Sequence, residues 1–221
     1  MVARGWRRGS LWPLVLLLAA AGMAACAPAS ATADVPDTPA SSSSAPGDTL
    51  MSGAVVRDAL PGSASGPVTI LWAGDTLLAD AAQELLERNG YEWPFEHLLP
   101  LLDADYIIIN QEGPITVLEE RFDPDQRWSY NAQPEAAAAL AAVGVDAVSL
   151  SNNHAMDRGP AGLADTIRHL DEVGVRAFGA GLDLTQAEAP LLIDTPHGAV
   201  GVVGLGLDWG VDRTAGPEQA G

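Results

Sequence analysis

The chain has 221 residues, 48% of them hydrophobic, and a formal net charge of −18 at pH 7. That length is enough for one ordinary domain with its own buried core. Because nucleic-acid binding rests on cationic contacts to phosphate, such strong acidity excludes nucleic acid as a partner. The same acidity opposes the binding of any polyanion unless metal ions bridge the two.

The segment 1–25 has the three parts of an export signal, which are a basic start, an apolar stretch and small residues at the end. Three arginines precede an apolar stretch over 11–22, and Ala24 and Ala25 close the segment. The apolar residues run only to about Ala29, and a membrane-spanning helix needs roughly 20 of them with suitable flanks. We therefore expect a cleaved signal peptide over 1–25 and an exported protein.

Cys26 directly follows this segment and is the chain's only cysteine. A cysteine after two small residues resembles the lipobox of bacterial lipoproteins, in which the cysteine is diacylated and becomes the first residue of the mature protein. Two acyl chains, at about 0.8 kcal/mol per buried methylene, anchor a protein without a spanning helix. We expect lipidation of Cys26 and a location on the outer face of the cytoplasmic membrane. The alternative is cleavage after Ala31, which would remove Cys26 and yield a secreted protein.

Residues 26–66 are rich in Ala, Ser, Pro, Thr and Gly and include the run Ser41 to Ser44. They lack the apolar periodicity that a packed core requires. This composition predicts a flexible tether over 26–66 and a folded domain over 67–221.

From residue 67 onward, apolar runs alternate with helical patterns, which is typical of βαβ units and a parallel sheet. Glycines mark the expected ends of the helices. The predicted elements are a buried strand over 68–73, a helix over 80–88, a buried strand over 106–109, a helix over 134–143, a strand over 145–150, a helix over 159–173, a strand over 175–178 and a hairpin of 191–194 with 199–205. The pattern predicts an α/β fold with a mostly parallel sheet and flanking helices.

Polar side chains follow each of the first three predicted strands. They are Asp75 after the first, Asn110, Gln111 and Glu112 after the second, and Asn152, Asn153 and His154 after the third, with Asp157 three residues further on. The carboxyl ends of parallel strands lie along one edge of a sheet, so we expect these groups to converge there. A mixed set of oxygen and nitrogen donors suits Mn, Fe, Mg or Zn rather than a soft thiophilic metal.

Each of these motifs also has a purely structural interpretation. Gly74–Asp75 after a strand is often a turn whose aspartate caps the next helix, and the pair Asn110 and Glu112 is weak alone. The run 152–154 is stronger, because three polar residues after a buried strand need partners or a ligand. The three motifs together favour a functional site.

At these motifs the sequence resembles the bacterial capsule-synthesis CapA family, the poly-γ-glutamate biosynthesis proteins. The resemblance implies a metallophosphoesterase-like α/β/β/α sandwich, of which this chain is expected to form the N-terminal portion. It covers nearly all of residues 68–205. The segments that carry it are WAGDTLL at 72–78, DADYIIINQEGPIT at 103–116, the long segment 130–175 containing SLSNNHAMDRGPAGLADT, and GAGLDLTQAEAPLLI at 179–193.

The resemblance also implies roles for particular residues. The implied ligands of a divalent metal are Asp75, Glu112 and Asn153. The implied catalytic residue, facing a substrate oxyanion, is His154. The further candidates are Asn110, Asn152 and Asp157.

For function, the resemblance implies a cell-surface role in capsule or poly-γ-glutamate synthesis. The partners would be a membrane-embedded polymer synthase or export machinery and an anionic polymer. One alternative is metal-dependent phosphoester hydrolysis, and another is a non-functional fragment of such a hydrolase. Related domains contribute further histidines from later in their sequence, and this expectation favours the non-catalytic role for the present chain.

Replacement of Cys26 tests the lipid anchor. We expect Cys26→Ala to release the protein from the membrane fraction or to stall its processing, because the acyl chains attach at that cysteine. Fractionation and immunoblotting of the full chain measure the effect, and Ser42→Ala is a control that leaves the thiol in place. Unchanged membrane retention with normal processing would contradict lipidation.

Overall fold

The computed structural model describes residues 56–60, 66–206 and 210–221. The expected signal peptide, Cys26 and most of the expected tether lie outside these residues. The described strands are β1 Val56–Ala59, β2 Ile70–Thr76, β3 Tyr106–Gln111, β4 Ala147–Ser149, β5 Arg176–Phe178, β6 Leu191–Thr195 and β7 Gly198–Val202. The α-helices among the described residues are α1 Gln83–Asn89, α2 Glu135–Ala142, α3 Gly159–Glu172 and α4 Leu184–Ala187. No helix in this part of the chain is long and apolar enough to cross a membrane.

The strands form two sheets. One has four strands in the order β2-β3-β4-β5, and every neighbouring pair in it is parallel. The other has three strands in the order β1-β6-β7, in which β1 and β6 are parallel and β6 and β7 form the predicted antiparallel hairpin. The predicted α/β class, with a mostly parallel sheet, is confirmed.

The side chains of β3 divide the interior into two cores, because successive residues of a strand point to opposite faces of the sheet. Ile107 and Ile109 belong to the core that contains buried residues of α1, α2 and α3. Tyr106 and Ile108 belong to a second core, shared with Leu191 and other residues of the second sheet. The four-stranded sheet therefore lies between a layer of helices and the three-stranded sheet.

The helices end where their glycines predict. Gly90, Gly144 and Gly174 follow α1, α2 and α3 and have φ angles of 95°, 87° and 81°. Glycine adopts this left-handed region without the steric penalty that a Cβ brings, so it ends a helix readily. Of the predicted apolar stripe, Leu163 and Leu170 on α3 are fully buried, whereas Val173 just after the helix is 36% exposed.

The first predicted strand needs a correction. It was expected as a buried strand over 68–73, but β2 runs over Ile70–Thr76 and Trp72 is 55% exposed. The reason is that β2 is an edge strand of its sheet and, among the described strands, pairs with β3 alone. A short apolar run does not distinguish an edge strand from a central one.

The expected tether also needs a correction. Residues 56–59, within the range predicted as flexible, form β1 and pair in parallel with β6. Leu60, which follows β1, packs against the core between the two sheets. The partner of β1 is more than a hundred residues away in the sequence, and local composition carries no signal of such a pairing.

Truncation of Leu163 tests the helix-side core. Leu163 is fully buried and Leu99 is 49% exposed. We expect Leu163→Ala to lower the free energy of unfolding by about 2–5 kcal/mol, because it leaves a cavity in a packed core. The same change at Leu99 should stay within about 0.5 kcal/mol of the wild type. Urea denaturation measures both, and equal effects would contradict the assignment of this core.

Candidate functional site

The candidate site lies at the carboxyl ends of β2, β3 and β4. Asp75 is in register with Asn110 of β3, and Asn110 is in register with Ser149 of β4. The pairing of β2 with β3 shifts register between Trp72 and Asp75. Such an irregularity re-aims the side chains beyond it. The three strand ends therefore lie side by side at one edge of the sheet, as parallel topology predicts.

Asn110 joins the two carboxylates of the site. Its Nδ2 donates to Oδ1 of Asp75 at 2.8 Å and to Oε2 of Glu112 at 2.8 Å. Because ionised carboxylates only accept hydrogen bonds, the NH₂ group of Asn110 must be the end that faces them. The sequence marked Asn110 only as a further candidate, yet it holds the two expected metal ligands together.

Asn152 connects the loop after β4 to β3. Its Nδ2 donates to Oδ1 of Asn110 at 3.1 Å and to the carbonyl of Gln111 at 2.8 Å. Its Oδ1 accepts from the backbone N–H of His154 at 3.0 Å. All of its polar atoms are thus used within the protein, and Asn152 is an organising residue of the site.

Asn153 is different, because its side-chain amide makes no hydrogen bond with any residue that the structure describes. It lines a polar cavity of about 400 Å³. The residues that line this cavity are Trp72, Asp75, Asn110, Glu112, Ser149, Ser151, Asn152, Asn153, Leu205 and Gly206. All three expected metal ligands therefore share one cavity, and the amide of Asn153 is available to a ligand there.

Burial, more than any other cause, raises the pKa of Glu112 above its ordinary value, and the nearby charge of Asp75 adds to the rise. His154 and the hydrogen bond from Asn110 oppose this rise only in part. The raised pKa means that the cavity disfavours the second negative charge. A bound cation would remove that penalty.

The donor set of the cavity is small. Among the described residues, no group of three or more His, Cys, Asp or Glu side chains is placed to hold a metal ion. A cation in this cavity would thus depend on the carboxylates of Asp75 and Glu112, the amide oxygen of Asn153 and water.

His154 lies behind Glu112 and is 8% exposed. Its Nε2 is 3.8 Å from Oε1 of Glu112, and its Nδ1 is 2.8 Å from Oδ2 of Asp157. Asp157 is fully buried. Because its carboxylate only accepts, Nδ1 must carry a proton, and Nε2 is the ring nitrogen directed toward Glu112. Asp157 therefore orients His154.

Sequence reasoning missed two residues beside His154. The ring of Tyr130 packs on the imidazole with 4.3 Å between the ring centroids. Gln126 donates to Oδ1 of Asp157 at 2.7 Å. Both lie between Ile115 and α2, in a stretch without helix or strand, where no periodic pattern marks residues that approach the site.

The fold and these contacts define a class of protein before any relative is considered. A parallel sheet carries carboxylates and amides at its strand ends, with a histidine held by a buried aspartate beside them. This is an α/β protein with an acidic cavity at the carboxyl ends of its strands, which agrees with the metallophosphoesterase-like fold that the resemblance to the CapA family implies.

The chain belongs to the bacterial capsule synthesis protein family PGA_cap, whose family model matches residues 69–220. It is 32% identical over 171 residues to a probable polyglutamine synthesis accessory protein of Mycobacterium tuberculosis, with 62% of this chain and 45% of that protein covered. It is 30% identical over 118 residues to the capsule biosynthesis protein CapA of Bacillus anthracis, with 52% and 28% covered. To the PGA biosynthesis protein CapA of Bacillus subtilis it is 26% identical over 128 residues, with 58% and 34% covered. The chain thus spans less than half the length of these curated relatives.

Neutralisation of Glu112 tests the electrostatic penalty in the metal-free site. Because folding raises its pKa, the wild type loses stability as pH rises through that pKa, and the full stability is present only below the unfolded value of about 4.3. We expect Glu112→Gln to raise the melting temperature at pH 7 with a chelator present. The difference should shrink as pH falls and vanish well below the unfolded value of about 4.3, where Glu112 is protonated in both states.

The matched control is Glu120→Gln, which removes the same charge from an exposed residue. Its melting temperature should follow the wild type across the same pH range. A Glu112→Gln protein that is less stable than the wild type at pH 7 would show that the carboxylate stabilises the metal-free fold.

Proposed function

We propose that this chain acts at the cell surface in capsule or polyglutamate synthesis, as a metal-binding accessory module of a polymer synthase or export system. Its membership of the capsule-synthesis family supports the role, as do the names of its relatives. The observation that carries the metal-binding part is the pair of carboxylates, Asp75 and Glu112, gathered around the amide of Asn110.

A divalent cation fits the chemistry of this cavity. Asp75, Glu112 and Asn153 offer oxygen donors, which Mg and Mn prefer, while His154 is the only nearby nitrogen ligand for Fe or Zn among the described residues. The raised pKa of Glu112 supports the proposal, because a cation relieves the repulsion between the carboxylates. When bound, the cation supplies a positive charge to an anionic ligand.

The need for a cation follows from the charge of the protein. The chain carries a formal charge of −18, and the ion-pair partner of Glu112 among the described residues is His154 rather than an arginine. A carboxylate polymer would therefore be repelled from the bare cavity. We propose that the metal ion joins the acidic cavity to a carboxylate of the polymer.

Phosphoester hydrolysis is the second candidate, and it is favoured by the contact between His154 and Asp157. A histidine held at Nδ1 by a buried carboxylate presents Nε2 to a reacting group, as general acid–base catalysis requires. Here Nε2 is directed toward Glu112, at the edge of the cavity. For this reaction, His154 would donate to or accept from a substrate oxygen while Asp157 holds its ring.

The location of the domain is part of the proposal. A lipid on Cys26 would hold the chain on the outer face of the cytoplasmic membrane, and residues between Cys26 and β1 would separate the domain from the bilayer. Such a location matches a protein that works beside a membrane-embedded polymer synthase or exporter. The alternative is secretion without the lipid.

Metal and polymer binding test the accessory role. We expect Mn²⁺ binding by titration calorimetry to weaken at least about tenfold in Asp75→Asn and Glu112→Gln, because even the loss of a residue that only supports a metal ligand typically weakens binding by about that much. Poly-γ-glutamate should bind the wild type with Mn²⁺ and should not bind with a chelator. Glu120→Gln is the control for charge alone, and polymer binding that ignores Mn²⁺ would contradict the bridge.

Hydrolysis separates the two candidate functions. We expect negligible turnover of an aryl phosphate ester with added Mn²⁺, because the described residues supply too few ligands for the paired cations of a two-metal site. His154→Ala should leave that low rate unchanged. Robust turnover that His154→Ala abolishes would instead establish the hydrolase.

A further inference from the structure

The segment 117–131, which we call the 117–131 connection, leads from β3 toward α2 and contains neither helix nor strand. It nevertheless supplies two of the three hydrogen bonds to the buried carboxylate of Asp157. Gln126 Nε2 donates to Oδ1 at 2.7 Å, and the backbone N–H of Tyr130 donates to Oδ2 at 2.7 Å. The third donor is Nδ1 of His154, at 2.8 Å from Oδ2.

The orientation of the Gln126 amide follows from its partners. Arg213 Nη1 lies 2.9 Å from Oε1 of Gln126, and a guanidinium only donates. On the other side, Nε2 meets the carbonyl of Trp128 at 2.6 Å and the carboxylate of Asp157, which both only accept. A flipped amide would lose every one of these hydrogen bonds, so Gln126 presents a donor to Asp157.

This arrangement fixes which oxygen of Asp157 is left for His154. With Oδ1 held by Gln126, the plane of the carboxylate is set, and Oδ2 accepts from both Tyr130 and His154. The Tyr130 ring packs on the imidazole from the same connection. We propose that Gln126 is a positioning residue which, through Asp157, keeps the proton of His154 on Nδ1 and its Nε2 directed toward Glu112.

The inference rests on the proposed role of His154 at the site. It assigns to the 117–131 connection a role in positioning His154. Neither the sequence of this segment nor its lack of regular structure indicates that role. A purely structural role for Gln126 would be to hold the connection through Trp128. Such a role predicts a change in stability without a change in the tautomer of His154.

The experiment is ¹⁵N NMR of the full chain labelled at histidine, at a pH where imidazoles are neutral. The signals of His154 are assigned by their loss in His154→Ala. In the wild type we expect the proton on Nδ1. In Gln126→Leu and in Gln126→Glu, we expect the Nε2–H form to increase several-fold, because Asp157 loses a donor that fixes its plane.

The two variants complement one another. Gln126→Glu keeps the size of the side chain and an acceptor for Arg213, while it removes the donor to Asp157 and Trp128 and adds a negative charge beside Asp157. Gln83→Leu is the control, because Gln83 also donates to a carboxylate, that of Glu87, on α1 away from the site. The control should keep the wild-type tautomer.

Two results would overturn the proposal. One is the finding that His154 of the wild type carries its proton on Nε2. This measurement does not depend on whether any variant folds. The other is an unchanged Nδ1–H form in either folded Gln126 variant. If the wild type does not bind Mn²⁺, the proposed function is refuted, while the result on the His154 tautomer stands.

Discussion

The two hydrogen bonds from the Asn110 amide to Asp75 and Glu112 are the interaction on which the site depends. Two carboxylates at neighbouring strand ends repel each other, and burial of Glu112 worsens the repulsion. An amide NH₂ has one donor for each carboxylate, and its oxygen remains free to accept from Asn152. Asn110 thereby fixes the distance between the carboxylates and connects them to the loop that carries Asn153 and His154.

The position of Asn110 follows from the alternation of β3. Tyr106, Ile108 and Asn110 share one face of the strand, and the first two pack in the core between the sheets. Asn110 lies one step beyond that core, where the face opens into the cavity. Gln111 is on the opposite face and is fully buried. A shift of one residue in the register of β3 would exchange the positions of Asn110 and Gln111. The amide of Asn110 would then no longer face the carboxylates of Asp75 and Glu112.

Elements with local signals were predicted well, and those that depend on distant partners were not. The three longer helices end at glycines that the sequence displays, and β3 is a continuous apolar run. By contrast, β1 exists through its pairing with β6, and the exposure of Trp72 reflects the edge position of β2. The convergence of the strand ends was predictable because parallel topology requires it. Gln126 was not, because its relation to Asp157 arises only when an irregular segment folds back.

The described contacts divide the site into two halves. In one half the polar side chains have hydrogen-bond partners within the protein, and in the other half some do not. On the His154 side, Asp157 is fully buried and accepts three hydrogen bonds, so nothing there calls for a ligand. On the Asp75 side, two carboxylates share one amide, and Asn153 makes no hydrogen bond within the described part of the chain. The excess of negative charge beside an unused amide supports the proposed cation, which would balance that charge. Under that proposal, the cation would be the link between a strongly acidic protein and an anionic polymer.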